Sequence, residues 1–496
     1  MAFDIQIRHP TYLAFRASWQ LLRDAIEGED TIKARGEAYL PMKSGTKAMT
    51  DATRRDHAYS AYKARAEFPE IVAPTVRGTV GVMLERAAKI ELPSALEPLR
   101  ERATRDGLPL DALHRLIATE IMKTGRYGLL PGVDKSGKPY LAGYCAESII
   151  NWDSSDAVPD YVVLDETGQA RNRETGAWDR VEQFRECYVK NGAYASREWT
   201  KSAGVALFTP TEEVFALKPP KSGRAEALDA LPFVFINTNG LSADPDDVPL
   251  YGLAKLAVRI YRLDADYVFA MHMTAEPTPV AIGFDDPAQA VKDGLAPTSI
   301  GSSKLWLLPK GGDAKMLEFT GAGISAQKDA IAAALERAVA LGAQIMADGA
   351  KTAESGDALA LRLGSQSSIL KLVAMTSAAG LERALKNAAV WVGADPDQVK
   401  VEPVTEFFDK TLSAQDITAV VSGWQASAYS WRTAFDRLQK GGVIPIDRTA
   451  EDEQTLIATD QEGRDPAPEE MFDPVSGKPL DPTKLPPQLQ RSGNGI

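Results

Sequence analysis

Cysteine and histidine are scarce in this chain of 496 residues, which contains two of the first and four of the second. Two cysteines cannot form a disulfide framework, so we expect Cys145 and Cys187 to be reduced thiols of a protein assembled in cytosol. The four histidines are scattered without the spacing of zinc ligands. The sequence therefore predicts neither a metal site nor a bound cofactor.

Long apolar runs are also absent. No stretch approaches the roughly 20 apolar residues that cross a bilayer, and the N-terminal residues lack the apolar run of a secretory signal. Basic residues are outnumbered, since 56 Lys and Arg stand against 68 Asp and Glu, a formal charge of −12 at pH 7. The lack of long apolar runs predicts a soluble protein that is not secreted. Because tight nucleic-acid binding relies on clustered cations, we also expect that the protein does not bind DNA tightly.

Catalytic motifs are missing as well. No G-x-S-x-G or H-E-x-x-H occurs, and residues 132–139 approach a phosphate-binding loop but place Pro139 where the motif needs a metal-binding hydroxyl. A hairpin turn after a poor strand at residues 129–131 is the better interpretation. Residues 321–326 resemble the start of a dinucleotide fingerprint, but the second strand of that unit is missing, which favours a flexible turn and helix cap. We expect no enzyme activity.

What the sequence does contain is helical periodicity, rich in Ala, Leu, Glu, Lys and Arg, with shorter alternating stretches. This predicts an α+β protein that is mainly helical. The predicted helices are 12–27, two between 54 and 86, 110–127, 251–274, 325–347 with Ser325 as N-cap, 358–391, and one or two in 413–440. Residues 32–41 are predicted as a loop, 161–217 as a small antiparallel meander, and 303–308, 315–319 and 399–404 as strands.

Two helices carry further detail. On the helix 251–274, Lys255, Arg259, Arg262 and Asp266 repeat at helical spacing away from the apolar stripe. They form a solvated face, or one that meets a nucleic-acid backbone or a neighbouring subunit. Residues 331–347 are rich in alanine, whose small side chain permits close packing of helices around an axis or within an ordinary bundle.

Several stretches in a fixed order carry a family resemblance. They are residues 9–10 with Tyr12 and Trp19, 36–41, Tyr59 with 62–66, 125–130, 139–140 leading to 146–152, 250–252, 276–279, 346–350 and 380–385. Together, over roughly residues 9 to 435, the chain resembles the portal proteins of tailed bacteriophages, the head-tail connectors at the portal vertex.

The resemblance implies a ring, normally of twelve subunits, at one vertex of the capsid in the virion, made in the cytoplasm of a bacterial host. Double-stranded DNA is packaged and ejected through its channel without sequence specificity. Its implied partners are the terminase large subunit, the major capsid and scaffolding proteins, and a tail adaptor, with no membrane. An acidic ring suits this role, because like charge lets DNA slide. The alternatives are a minor capsid structural protein, or a nucleotide-dependent enzyme supported only by the two defective glycine motifs.

The resemblance also implies a division of the chain into portal regions. These are the wing at 1–250, stem helices at 251–275 and 324–348, the clip at 276–323, a channel loop at 349–357, a wing helix and strand at 358–412, the crown at 413–445, and an acidic, proline-rich tail at 446–496 that we expect to be largely disordered or extended. The candidates to line the channel are Lys351, Thr352, Glu354, Ser355 and Asp357. The candidates for the stem face are Lys255, Arg259, Arg262 and Asp266.

Overall fold

The computed structural model describes residues 3–153, 159–201, 207–218, 226–275, 278–297, 306–317, 322–341, 356–405, 414–445 and 448–462. Helix accounts for 49% of the described residues and strand for 19% of them, in agreement with the predicted α+β class. The chain divides into two units, Met1–Phe407 and Phe408–Ile496. Among the described helices, none combines the length and the apolar character needed to cross a membrane.

The described residues form thirteen α-helices. They are α1 (Pro10–Glu27), α2 (Glu29–Ala34), α3 (Ser44–Lys47), α4 (Ala52–Arg65), α5 (Val72–Met83), α6 (Leu110–Thr124), α7 (Tyr251–Ala275), α8 (Pro287–Lys292), α9 (Ala322–Ala340), α10 (Gly356–Val392), α11 (Ala414–Gln425), α12 (Trp431–Lys440) and α13 (Ala450–Glu462). Of these helices, α2, α3, α8 and α13 were not predicted.

The described strands form small antiparallel sheets. The strands are β1 (Lys89–Glu91), β2 (Arg126–Val133), β3 (Pro139–Cys145), β4 (Ile149–Trp152), β5 (Tyr161–Asp165), β6 (Gly168–Arg171), β7 (Trp178–Val181), β8 (Gln183–Lys190), β9 (Ala193–Thr200), β10 (Thr209–Pro210), β11 (Val214–Phe215), β12 (Leu217–Lys218), β13 (Glu226–Ala227), β14 (Val234–Asn237), β15 (Thr278–Ile282), β16 (Asp313–Leu317) and β17 (Lys400–Glu402). A six-stranded sheet has the order β10-β9-β8-β5-β4, with β11 also beside β9, and a three-stranded sheet has the order β14-β2-β3. The other described strands pair in twos: β1–β17, β6–β7, β12–β13 and β15–β16.

The first unit has one continuous apolar core, and α10 runs through it. Thirty-seven residues make this helix about 55 Å long. Its buried residues include Leu370, Val373, Leu381 and Leu385, which recur at spacings of three to eight residues. Glycine at position 380 lets the helix lie on β14, because a Cβ there would stand 2.5 Å from Cδ1 of Ile236.

Strand β2 differs from the sequence prediction, which treated residues 129–131 as a poor buried strand. Its first seven residues are buried, including Pro131. The strand lies between β14 and β3, but β14 pairs only with Arg126 to Leu129. Pro131 therefore lies beyond the end of β14, where a strand loses nothing by lacking an N–H donor on that side.

Residues 134–138 form the predicted hairpin turn. The carboxylate of Asp134 accepts hydrogen bonds from the backbone N–H groups of Ser136 and Lys138, at 2.8 and 3.0 Å. A phosphate-binding loop joins a strand to a helix, whereas this turn joins β2 to β3. The sequence 132–139 therefore does not form a phosphate-binding loop.

The second glycine motif also lacks the structural context of a nucleotide site. Residues 322–326 begin α9, so Ser325 lies inside the helix and is not its N-cap, and Gly321 lies outside the described residues. The preceding strand β16 pairs antiparallel with β15 in a two-stranded ribbon. A dinucleotide fold needs a parallel βαβ unit at this point.

Two further predictions are corrected. The predicted loop at 32–41 begins with the last three residues of α2, in which Lys33 pairs with Glu29 at 2.6 Å and Ile32 is buried. The predicted tail contains α13: Thr449 Oγ1 accepts from the backbone N–H of Asp452 at 3.1 Å, and three acidic residues occupy the first turn. Such a cap and such charges stabilise a helix N-terminus. The overall composition of residues 446–496, on which the prediction of a disordered tail rested, does not contain this local information. Residues 463–496 lie outside the described residues.

The second unit consists of α11, α12 and α13 in its described part. Residues 413–440, predicted as one helix or two, are two, separated by a turn in which Ser427 has φ of 58°. Ser430 caps α12 by accepting from the backbone N–H of Thr433 at 3.3 Å. In the described part of this unit the buried apolar residues are few, namely Ala434, Phe435, Leu438 and Ile444.

Candidate functional site

The segment from α7 to α9 forms a helical hairpin. Strand β15 begins three residues after α7 and pairs antiparallel with β16, with Thr278 opposite Leu317. The chain therefore returns to the end of α7 from which it left, and α9 then packs along α7 in the opposite direction. We name α7 and α9 the stalk, and residues 278–317 the insert at its tip.

The first half of α7 anchors the stalk in the core of the first unit. Leu253, Leu256, Ile260 and Tyr261 are buried, as the apolar spacing of the sequence predicts. From residue 266 onward the helix becomes half-buried and then exposed. The stalk therefore has an embedded base and an open tip.

The polar stripe of α7 divides into two parts. Lys255 and Arg259 are exposed at the base, where the ammonium of Lys255 lies 5.3 Å from the ring centroid of Tyr251. Farther along, Nε of Arg262 donates to the backbone carbonyl of Tyr39 at 2.6 Å. Arg262 thus binds its own chain, a partner that the sequence reasoning did not consider.

Asp266 is held in the same way. Its Oδ1 accepts from the hydroxyl of Tyr62 at 2.7 Å and lies 2.8 Å from Nζ of Lys43. Nζ of Lys43 also lies 4.3 Å from the ring centroid of Phe269. Burial raises the pKa of Tyr62, and the hydrogen bond to Asp266 raises it further. We name these contacts of Arg262 and Asp266 the stalk clamp.

Alanine at position 266 is expected to destabilise the first unit by about 1 kcal/mol, because the hydroxyl of Tyr62 and the ammonium of Lys43 lose their shared acceptor. Arg259→Ala is the matched control. This residue lies on the same helix, is exposed, and makes no hydrogen bond or ion pair among the described residues, so its substitution should change stability by less than about 0.5 kcal/mol. Urea unfolding of both variants measures the difference. Equal effects would contradict the clamp.

Helix α9 contacts the protein through a narrow stripe. Only Ala334 and Ala338 are buried among its described side chains. Leu335 on α9 is exposed, as is Leu341 directly after the helix, and Met271 and Met273 are exposed on α7. A pair of helices in solution usually buries its apolar faces, and these four apolar side chains remain uncovered by the described part of this chain.

The insert has almost no core of its own. Among its described side chains only Ala290, on α8, is buried. Helix α8 is capped by Asp286, whose carboxylate accepts from the backbone N–H of Gln289 at 3.0 Å. The exposed apolar residues of the insert are Ile282, Val291, Leu295 and Leu307. The described part of the insert therefore buries little apolar surface of its own.

The channel-lining candidates lie in the sequence between α9 and α10 and at the start of α10. Lys351, Thr352, Glu354 and Ser355 lie outside the described residues, as do residues 342–348 of the second expected stem helix. Asp357 is the second residue of α10. In the described part of the chain, no group of three or more His, Cys, Asp or Glu residues is arranged to hold a metal ion.

The sequence reasoning did not assign Tyr39, Lys43 and Tyr62 to the stalk. The signal was nonetheless present, because Tyr39 and Tyr62 belong to the stretches that carry the portal resemblance. Other such stretches also meet in space. The hydroxyl of Tyr12 donates to the carbonyl of Glu147 at 3.2 Å, and the ring of His9 stacks on Trp152 at 4.2 Å.

Comparison with known proteins gives a family match for part of the chain. The model of a domain of unknown function, DUF4055, matches residues 249–392. This range begins two residues before α7 and ends at the last residue of α10. It therefore contains the stalk, the insert and the long core helix. No curated protein matches the chain.

Two solved structures from the neck of GTA particles (gene transfer agents) are similar to the chain. One, from the empty particle computed with C6 symmetry, has 14% sequence identity and a TM-score of 0.36, and the match covers 76% of this chain and 91% of that one. The other, from the native particle computed with C12 symmetry, has 14% identity and a TM-score of 0.36, with 75% and 89% covered. A TM-score of 0.36 does not establish a shared fold, so the assembly of this chain has to be argued from its own elements.

Proposed function

We propose that the chain is a structural subunit of a phage-like head-tail connector, and within that class a portal protein. Twelve copies would form a ring at one capsid vertex, through which double-stranded DNA is packaged and later ejected. The observation that carries the proposal is the stalk with its insert. In support of it, α7 has the bounds expected of the first stem helix, and α9 includes residues 324–340 of the second expected stem helix.

The surfaces of the stalk support assembly around an axis. The buried stripe of α9 is narrow, and its remaining faces are rich in alanine and carry the exposed Leu335. Small side chains let helices of neighbouring copies approach closely. Twelve stalks side by side would cover the exposed apolar residues of each other, and would leave the inserts at one end of the ring.

The inserts are then available to partners. Their exposed apolar residues suit a docking surface for the terminase large subunit during packaging and for a tail adaptor afterwards. Residues 349–357, the last two of which begin α10, would face the channel. The formal charge of −12 repels a polyanion, so DNA would slide past the subunits. The chain itself would supply no catalysis, and the packaging ATPase would be a separate protein.

The variant Leu335→Glu tests the proposal. Leu335 is 40% exposed on α9, so a glutamate there should leave the folded subunit intact. Twelve glutamates brought together between stalks would repel each other and be desolvated. We expect the variant to remain a folded monomer under conditions in which the wild-type chain forms rings. Analytical ultracentrifugation reports the mass, and thermal unfolding reports the fold.

Leu13→Glu is the matched control for this experiment. Leu13 lies on α1, outside the stalk, and is 56% exposed. The same change of charge there should leave ring assembly intact. Rings that persist unchanged in Leu335→Glu would contradict the proposed packing of the stalks.

A further inference from the structure

A two-stranded ribbon projects from the six-stranded sheet. Strands β6 and β7 continue the β5–β8 hairpin beyond its end and pair only with each other among the described strands. All eight of their residues are exposed, and Trp178 is 66% exposed. A ribbon of two strands buries little and is marginally stable in water by itself. The indole of Trp178 is therefore open to contact with another molecule.

The register gives the ribbon two different faces. Residues directly opposite each other in an antiparallel pair share a face, as do residues two apart on one strand. Gln169 lies opposite Arg180, and Arg171 lies opposite Trp178. One face therefore carries two arginines around a tryptophan, and we name it the ribbon face. The opposite face carries Gly168, Ala170, Asp179 and Val181.

The composition of the ribbon face is that of a protein interface. Tryptophan and arginine are the residues most enriched at the energetic centres of interfaces. Arg171 makes no hydrogen bond or ion pair among the described residues, and Nε of Arg180 lies 3.9 Å from a carboxylate oxygen of Glu182. The ribbon, residues 168–181, has three arginines and two acidic residues, so it is locally basic in an acidic protein.

A complementary surface lies at one edge of the same sheet. Strands β10 and β11 flank β9 there, and we name residues 207–217 the sheet edge. Its exposed apolar residues are Leu207, Val214, Phe215 and Leu217. It contains Glu212 and Glu213 and no basic residue. Glu213 pairs with Lys190 at 2.9 Å, whereas the exposed carboxylate of Glu212 has no partner among the described residues.

We propose that the ribbon face of one copy docks on the sheet edge of the next copy. Both surfaces are exposed within one chain, so they do not cover each other there. Two different complementary surfaces on one subunit make a head-to-tail contact, and such a contact closes into a ring when the rotation allows. The inference rests on the proposed ring and adds to it a contact outside the stalk. Apolar residues meet the indole, and Glu212 meets the arginines.

The variant Trp178→Ala tests the contact, with Val181→Ala as the matched control on the opposite face of the same ribbon. Truncation of a central interface tryptophan commonly weakens association by tenfold or more. We expect Trp178→Ala to raise the subunit concentration at which rings dissociate at least tenfold, and Val181→Ala to leave it unchanged. Val214→Ala should also weaken the rings, and the combined variant should lose less than the sum of the two effects, because both residues serve one contact.

Charge exchange provides a second readout. Arg171→Glu should weaken the rings through repulsion by Glu212, and the double variant Arg171→Glu with Glu212→Arg should recover part of the loss. Each variant is compared with the wild type by thermal unfolding, because all the substituted residues are exposed and should leave the fold intact.

The outcomes distinguish this contact from the ring itself. Wild-type rings that Trp178→Ala and Arg171→Glu leave unchanged would overturn the ribbon contact alone. A wild-type chain that never assembles would overturn both the contact and the proposed function. An arginine-flanked ribbon also fits a DNA major groove. If Trp178→Ala abolished binding to duplex DNA in a mobility-shift assay and left the rings intact, the ribbon would be a nucleic-acid site and the contact would be wrong.

Discussion

Replacing Arg126 by alanine is expected to destabilise the first unit by about 3–5 kcal/mol. Arg126 is fully buried at the start of β2. Its guanidinium carbon lies 4.4 Å from the ring centroid of Trp152 and 4.8 Å from that of Phe235. Its Nη1 donates to the carbonyl of Ala243 at 2.7 Å. Alanine would leave a cavity between two rings and a buried carbonyl without its donor.

The buried positive charge of Arg126 itself lowers the stability of the folded protein, because the guanidinium loses its hydration. Burial lowers the pKa of Arg126 to about 9, and the charges of Asp244 and Asp246 oppose that shift. Arg126→Met fills similar space without a charge to desolvate, so it should cost less than about 2 kcal/mol. Urea unfolding followed by tryptophan fluorescence measures both variants. An alanine variant within 1 kcal/mol of the wild type would contradict the role of Arg126 in this core.

Lowering the pH from 6.5 to 4 is expected to remove about 3 kcal/mol of stability through His114. This side chain lies on α6 and is buried against α10, with Nε2 3.1 Å from Oγ of Ser377. Burial lowers its pKa from 6.5 to about 4, and the charge of Asp111 opposes the shift weakly. The unfolded chain therefore takes up a proton near pH 6.5, while the folded protein resists protonation until about pH 4.

The direction of the pH effect on stability follows from this difference between the folded and unfolded pKa values. Above pH 6.5 the imidazole is neutral in both states and the stabilisation is complete. As the pH falls from 6.5 to 4, the unfolded state gains a proton at His114 and the free energy of unfolding declines. His114→Gln keeps a donor for Ser377 but cannot titrate. Its free energy of unfolding should therefore fall less steeply than that of the wild type between pH 6.5 and 4, and identical slopes would contradict the assignment.

The sequence was most informative where one face of an element decides its structure. The apolar spacing of Leu253, Leu256 and Ile260 predicted α7, because a helix that buries one stripe repeats it in the sequence. Strand β2 was harder to predict, because Pro131 is tolerated only where its neighbour β14 has ended. The residues around Pro131 do not show where the neighbouring strand ends.

The partners of the stalk were beyond local reasoning for a similar reason. Asp266 meets Lys43 and Tyr62, which lie about two hundred residues earlier in the chain. Helical spacing predicts which side chains share a face, but the fold decides what that face meets. The ribbon face depends in the same way on the cross-strand register of Arg171 and Trp178.

Cryo-electron microscopy of the purified full chain, with mass determination on the same sample, tests the central claim most directly. Twelve-subunit rings are expected, with a mass that is the corresponding multiple of 53.6 kDa, a central hole wide enough for duplex DNA, and the inserts together at one end. A uniform particle of 53.6 kDa at every protein and salt concentration would contradict the account.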